Sequence, residues 1–267
     1  MSSENVVVKS NRLVEASYRL TLVEQQMILF AICRAREEQR GLSADSWLTI
    51  DANDFSEMFG TDPKNAYRQL IDAAKTLYDR SVTLYDNVGD ARKIETRWIA
   101  AKAQIDARGQ VQLIFSPLVI PYITRLESEF TAYRLEKIGH LSSVHAVRLY
   151  ELLLQYLKLK TREFEVIQLK KMLGLESEYS DIVNFKKWVI DVATQQINAH
   201  TDITTSYTQR KTGRNVTHLN FKIDAKEVLP KPVKKPSLTR AYVGKNARPG
   251  ETYETAVARL RAERAHT

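Results

Sequence analysis

Two stretches of this chain space out side chains that can hydrogen-bond a base edge or a phosphate. In the first, DIVNFKKWVIDVATQQINAH from Asp181 to His200, Asn184, Lys187, Asp191 and Thr194 fall on one helical face, with Lys186 beside them. Phe185, Trp188, Val189, Val192, Ala193 and Ile197 recur at helical spacing on the other face. One side is expected to dock on a core, Trp188 included. The other offers amide, ammonium and carboxylate groups to a partner. An earlier stretch repeats the pattern: Asn65, Arg68, Ile71, Asp72 and Ala74 have the mutual spacing of Asn184, Lys187, Ile190, Asp191 and Ala193, so both read N-x-x-[RK]-x-x-I-D-x-A. Similar packing explains recurrence of the core positions. Recurrence of the exposed Asn and basic residue points to a duplicated outward face.

A helix entering the major groove needs short or planar polar side chains near its N-terminal half. Asn184, Lys187 and Asp191 supply them in one unit, and Asn65, Arg68 and Asp72 in the other. Arg68 suits bidentate bonding to guanine, worth about 1–3 kcal/mol of discrimination. Lys64, Lys75 and Lys186 suit phosphates, which position without specifying. Arg210, Lys211 and Arg214 cluster at a turn around Gly213, and Arg92 and Lys93 end the polar loop DNVGDARK. A carboxylate repels phosphate, so three roles are open to Asp72 and Asp191: accepting from a cytosine amino group, orienting a basic neighbour, or lying outside the interface. Each charge cluster taken singly is an ordinary solvated face. Their paired occurrence, each followed by a hairpin with a basic turn, favours DNA contact.

Other chemistries lack their groups. The five histidines have no i, i+2 or i, i+4 spacing among them, so metal-ligand pairing has no local support. Gly244-Lys245 lacks the residues of a phosphate-binding P-loop. Twelve tyrosines include no candidate nicking nucleophile with a metal cluster beside it, and Tyr78 and Tyr150 read as core. Cys33, the single cysteine, sits among Leu29 and Ile32 and reads as a buried bystander in a reducing cytoplasm. No cofactor and no catalytic residue is expected.

The 267 residues, 43% of them hydrophobic, suffice for two domains. No apolar run spans a membrane, and the N-terminus lacks the layout of a signal peptide. The net charge of +8 is unevenly placed. Residues 225–267 hold 10 Lys/Arg against 4 Asp/Glu, and the rest of the chain 30 against 28. Four of the seven prolines lie in that basic tail, which reads as an extended, flexible linker. Glu251 to Ala265 is a short helix candidate anchored by Val257 and Leu260. A docking peptide or a further DNA-contacting arm is the alternative to a bland tail.

The elements that would position these groups appear twice in one order. Residues 1–17 read as poorly ordered or extended. Thr21 and Glu24 form a capping box before an all-round apolar helix through about Glu38. Trp47–Ile50 is a strand. Asp51 caps a helix closed by Gly60, and Asp62-Pro63 opens the next, which runs to about Asp79. Strands at Ser81–Tyr85, Ile94–Ile105 and Gln110–Phe115 follow, the last two paired across Gly109. This is the order of a winged helix-turn-helix domain, with Asp86–Lys93 as its wing tip. Residues 117–140 form a short helix and a connection. Ser142 or Ser143 then caps a second apolar helix, Phe164–Val166 is a strand, and a helix ends at Gly174. The Asp181–His200 helix and strands at Ile203–Gln209 and Asn215–Ile223 complete the second round. The expected class is α+β: two tandem winged helices, over 1–130 and 131–224, with a tail from 225 to 267.

LTLVEQQMIL, the AYRQL helix, FSPLVIPYI, RLYELLLQY and FKKWVIDVATQQIN, then a TD-x-x-x-x-Y hairpin and a K-x-GR turn, together resemble the iteron-binding plasmid replication initiators. The resemblance covers about Val7 to Ile223. It implies a non-enzymatic protein that binds tandem origin repeats as a monomer, helps open the adjacent duplex and recruits host helicase-loading proteins, with chaperones as further partners. It also implies a homodimer that binds an inverted repeat and represses its own gene, in the cytoplasm of a bacterium. The first winged helix would supply dimer contacts. Lys186 and Lys187 are then the leading DNA-binding residues, followed by Arg68 and Asn65. A plain repressor, a nicking initiator enzyme and a protein-interaction module are the competing readings.

Overall fold

A computed structural model of the chain describes residues 5–85, 92–105, 108–124, 129–226, 251 and 253–265. It divides into two units, Met1–Lys226 and Glu227–Thr267. Among the described residues no helix is long and apolar enough to cross a membrane.

The first unit holds the two winged helices. The earlier one is built from α2 (Leu22–Glu38), β3 (Leu48–Asp51), α3 (Ala52–Phe59), α4 (Pro63–Leu77), β6 (Ile99–Ile105) and β7 (Gln110–Phe115). The later one repeats it with α6 (Val144–Leu154), β9 (Thr161–Glu165), α7 (Val166–Met172), a long recognition helix, β10 (Ile203–Thr212) and β11 (Asn215–Ala225). Local chemistry sets the boundaries. Thr21 and Glu24 close a reciprocal capping box. Asp51, Asp62 and Ser143 each accept a backbone N–H at the start of their helix, Asp62 with Pro63 behind it. Gly60 and Gly174 end the second helix of each round in the left-handed region. Along α2, Met27 through Cys33 are all buried, as its all-round apolar sequence requires.

Strand pairing changes which hairpin is the first wing. In the later unit the order is β10-β11-β9, and in the earlier one β6-β7-β3, so the strand before each helix-turn-helix pairs with the last strand of its wing. The wing of the first unit is therefore β6–β7, turning at Gly109. The expected tip at Asp86–Lys93 belongs to an additional hairpin, β4 (Ser81–Leu84) with β5 (Ile94–Arg97), which pairs with β2 (Ser17–Tyr18). Residues 86–91 of that loop lie outside the described residues. The expected single strand Ile94–Ile105 is broken at Trp98, which is fully buried, and its two halves join different sheets.

The N-terminal segment is also better ordered than its composition suggests. β1 (Val6–Ser10) pairs antiparallel with β8 (Phe130–Arg134), a strand inside the stretch read as a connection. Between β1 and β2 lies the short α1 (Asn11–Val14), and α5 (Pro121–Thr124) precedes β8. Neither strand forms alone; each satisfies the other's backbone groups.

The second winged helix sits on this segment. Gly174 has φ +69°, and a Cβ there would lie 2.4 Å from the carbonyl oxygen of Tyr18. Gly174→Ala is thus expected to destabilise the protein by more than about 1 kcal/mol. A urea unfolding midpoint equal to that of the parent protein would show that the turn and β2 are not in contact.

In the second unit, α10 (Tyr253–Ala265) occupies the expected helical stretch, with Ala256 and Leu260 buried and Val257 half-buried. Glu251 accepts both guanidinium hydrogen bonds of Arg259, each at 2.9 Å. The proline-rich linker read between 227 and 250 lies outside the described residues.

Candidate nucleic-acid interface

The recognition helix of the later unit runs through α8 (Ile182–Phe185), a π-helical segment (Lys186–Ile190) and α9 (Asp191–His200). Asp181 caps it, accepting from the N–H groups of Val183 and Asn184 at 3.1 and 3.3 Å. Phe185, Val189, Ile190, Ala193 and Ile197 are buried. Across the π segment the buried Phe185, Val189 and Ala193 stay in step with Ala66, Leu70 and Ala74 of α4, and the two copies part only after Ala193. Leu77 is buried in α4, yet in the second copy burial falls on Ile197, one place beyond the repeat's equivalent position 196. The expectation for Trp188 is overturned: the residue is 57% exposed, while its neighbours Val189 and Ile190 are buried.

The helix is fastened to its surroundings at both ends. The Asn198 amide exchanges two hydrogen bonds with the backbone of Thr205, at 2.6 and 2.8 Å. Gln196 accepts from the N–H groups of Ser142 and Ser143 at 2.9 and 3.1 Å, holding the start of α6. Closer to the N-terminus, Lys186 donates to Gln209 Oε1 at 2.8 Å, and Tyr207 donates its hydroxyl to Asp191 Oδ1 at 2.6 Å. Both partners lie on β10, so helix and wing form one surface. Burial together with the Asp191 bond pushes the Tyr207 hydroxyl above its ordinary pKa, keeping it a donor.

Of the three roles open to Asp191, the structure thus shows it orienting a neighbour, and that neighbour is Tyr207 rather than a basic residue. Arg210 is committed as well. It donates twice to Glu163 on β9, at 2.7 and 3.0 Å, and these bonds hold the Glu163 carboxyl below its ordinary pKa. Among the described residues, the side chains of Asn184, Lys211 and Arg214 are exposed with no hydrogen-bond or ion-pair partner. Lys187 is exposed too, its ammonium 4.7 Å from the Trp188 ring centroid. The candidate groups thus divide into those bonded within the fold, Lys186, Asp191 and Arg210 among them, and those left exposed, Asn184, Lys187, Lys211 and Arg214.

The earlier unit has the same frame and different wiring. On α4, Arg68 donates to Asn65 Oδ1 at 2.8 Å, and Asn65 lies 3.4 Å from Asp62 Oδ2. Lys64 and Asp72 are exposed, with no side-chain partner among the described residues. Lys75 lines a 200 Å³ cleft with Ile71, Lys102 and Gln104, between α4 and the β6–β7 wing. Arg92 and Lys93 are exposed on the additional hairpin. Sequence reading missed Lys102 and Arg97, which face the Tyr78 ring at 5.9 and 4.9 Å, and Arg108 beside the true wing turn. The pairing of β3 with β7 was the missing signal. Tyr207, Gln209 and Glu163 were missed because nothing local marks their cross-element partners. Among the described residues no cluster of three or more His, Cys, Asp or Glu could hold a metal ion.

Residues 6–154 match the family model described as initiator replication protein, WH1, and residues 165–223 match initiator Rep protein, WH2. The chain belongs to the replication-initiator protein family. A replication initiation protein of Escherichia coli is 25% identical to this initiator over 228 residues, covering 83% of this chain and 70% of the relative. An uncharacterised 27.6 kDa protein of Escherichia coli is 24% identical over 217 residues, covering 78% and 91%. The fold matches the crystal structure of the Pi initiator protein, solved in complex with iteron DNA. That match has a TM-score of 0.66 and 22% identity, and covers 85% of this chain and all of that one.

Proposed function

We propose that this initiator binds duplex DNA sequence-specifically at tandem plasmid origin repeats. It reads those repeats as a monomer and represses its own gene as a dimer on an inverted repeat. The observation carrying this is the joined surface of the second winged helix. There Asn184 and Lys187 project from the recognition helix, and Lys211 and Arg214 from a wing tied to it through Lys186–Gln209 and Asp191–Tyr207. A surface fixed before binding loses little entropy on docking. The fold-related Pi initiator, captured on iteron DNA, supports the same reading.

In this proposal residues 131–224 supply the main recognition head. Residues 1–130 supply the dimer contacts and a second, weaker head through Lys64, Asn65, Arg68 and Lys75, with Arg92 and Lys93 on the neighbouring hairpin. Joined heads raise each other's effective concentration, so two modest sites read one long sequence. Helicase-loading proteins and chaperones of the host are the further partners. The chain itself does no chemistry on DNA; magnesium-dependent cleavage of origin DNA would refute that part.

The test is footprinting on DNA flanking the protein's own gene at two salt concentrations. Evenly spaced protected direct repeats are expected, with protection lost in Lys187→Ala. One protected inverted repeat and nothing else would make the protein a plain repressor. Weak, uniform binding that vanishes at modest salt would mean that unspecific phosphate attraction is all there is.

A further inference from the structure

The recognition helix exposes apolar surface where a solvated face would carry none. Trp188 is 57% exposed and Val183 63% exposed, in the N-terminal half of the helix. Residues four apart share a helix face. Asn184 therefore neighbours Trp188, and Val183 neighbours Lys187. The equivalent of Trp188 in α4 is Gln69, so this apolar patch is particular to the second helix. Val189, Ile190, Ala193 and Ile197 turn to the core, which leaves the indole outside.

We infer that Trp188 and Val183 read sequence, by packing against thymine 5-methyl groups in the major groove. This rests on the duplex-binding reading above and names what that site selects. On the major-groove edges of the four base pairs, the thymine methyl is the apolar feature; the rest are hydrogen-bond donors and acceptors. An indole flanked by Asn184 and Lys187 meets that methyl while its neighbours bond the adjacent polar edge or phosphate. The Lys187 ammonium sits 4.7 Å from the ring centroid. It occupies a ring face that stacking on an unpaired base would need, and this favours a duplex over a single strand as the occupant.

The experiment measures binding of the full chain to a repeat-bearing duplex, with each thymine replaced in turn by deoxyuridine, which lacks only the methyl. The parent protein should lose a few-fold in affinity at one or two positions. Trp188→Ala should bind the unmodified duplex roughly tenfold more weakly, toward the low end of what one lost base contact costs. It should no longer distinguish thymine from deoxyuridine at those positions. Its salt dependence should match the parent's, because no counterion-releasing charge is lost. Trp188→Leu, which keeps an apolar surface, should regain part of the discrimination. A Trp188→Ala protein that keeps the parent's full thymine preference overturns the inference. So does one that loses single-strand binding with duplex binding intact. In both cases the parent still prefers repeat DNA to random duplex, so the duplex-binding reading survives. Failure of that preference in the parent itself would instead sink the broader reading and this inference with it.

Discussion

Glu151→Ala is expected to lower the free energy of unfolding by about 3–5 kcal/mol, the usual cost of breaking a buried ion pair from one side. Domains of this kind hold only on the order of 5–15 kcal/mol in all. Glu151 lies on α6 and is fully buried. Its Oε1 is 2.6 Å from Lys9 Nζ on β1 and accepts from the Tyr133 hydroxyl on β8, also at 2.6 Å. Its Oε2 is 3.5 Å from Arg148 Nη1. Arg148, also buried, donates to the Tyr18 hydroxyl and to the carbonyls of Ala16 and Met172, the latter two at 2.9 and 2.8 Å. Removing the carboxylate strands two buried cations without their counter-charge. Glu151→Gln keeps the size and an acceptor for Tyr133, and should fall between the parent and the alanine variant. Urea unfolding followed by circular dichroism measures both; a loss under 1 kcal/mol for Glu151→Ala would show that water reaches the network. The network has a functional side, since it joins the first helix of the second winged helix to β1, β2 and β8. Arg162 adds to it, donating to Glu15 at 2.5 Å and to the carbonyl of Leu152 at 2.6 Å.

The second large effect is on DNA. A Lys187→Ala, Arg214→Ala double variant should bind repeat-bearing duplex roughly 10²-fold more weakly, taking about 1–3 kcal/mol for each contact. If both cations sit on phosphates, the slope of log K against log salt should flatten by about 1.8. Lys186→Ala and Arg210→Ala should each do less to that slope, because these cations are already engaged with Gln209 and Glu163. Binding titrations at four salt concentrations separate the cases. A Lys186→Ala slope change as large as that of Lys187→Ala would reverse the division between groups that build the surface and groups that face the ligand.

Much of this was legible in the residues. Caps at Thr21, Asp51, Asp62 and Ser143, and left-handed glycines at 60 and 174, mark helix ends through local chemistry alone. The period of apolar residues marks the buried faces of α2, α4 and α6. The repeated N-x-x-[RK]-x-x-I-D-x-A pattern marked both recognition helices, because side-chain spacing on a helix is a property of sequence.

What stayed hidden depended on partners distant in the chain. Lys9 in an apparently loose N-terminus is buried because Glu151 waits for it 142 positions later. β1 and β8 exist only as a pair. The true first wing follows from β7 pairing with β3, which no turn residue announces. Trp188 obeyed helical spacing in the sequence and faces water in the fold, because the helix turns Val189, Ile190, Ala193 and Ile197 to the core. Local propensity and periodicity are written in neighbouring residues, and so the sequence by itself determined the two winged helices and their candidate DNA face. Long-range pairing, burial of charge and the register of one helix depend on which surfaces meet, and only the tertiary structure decided those.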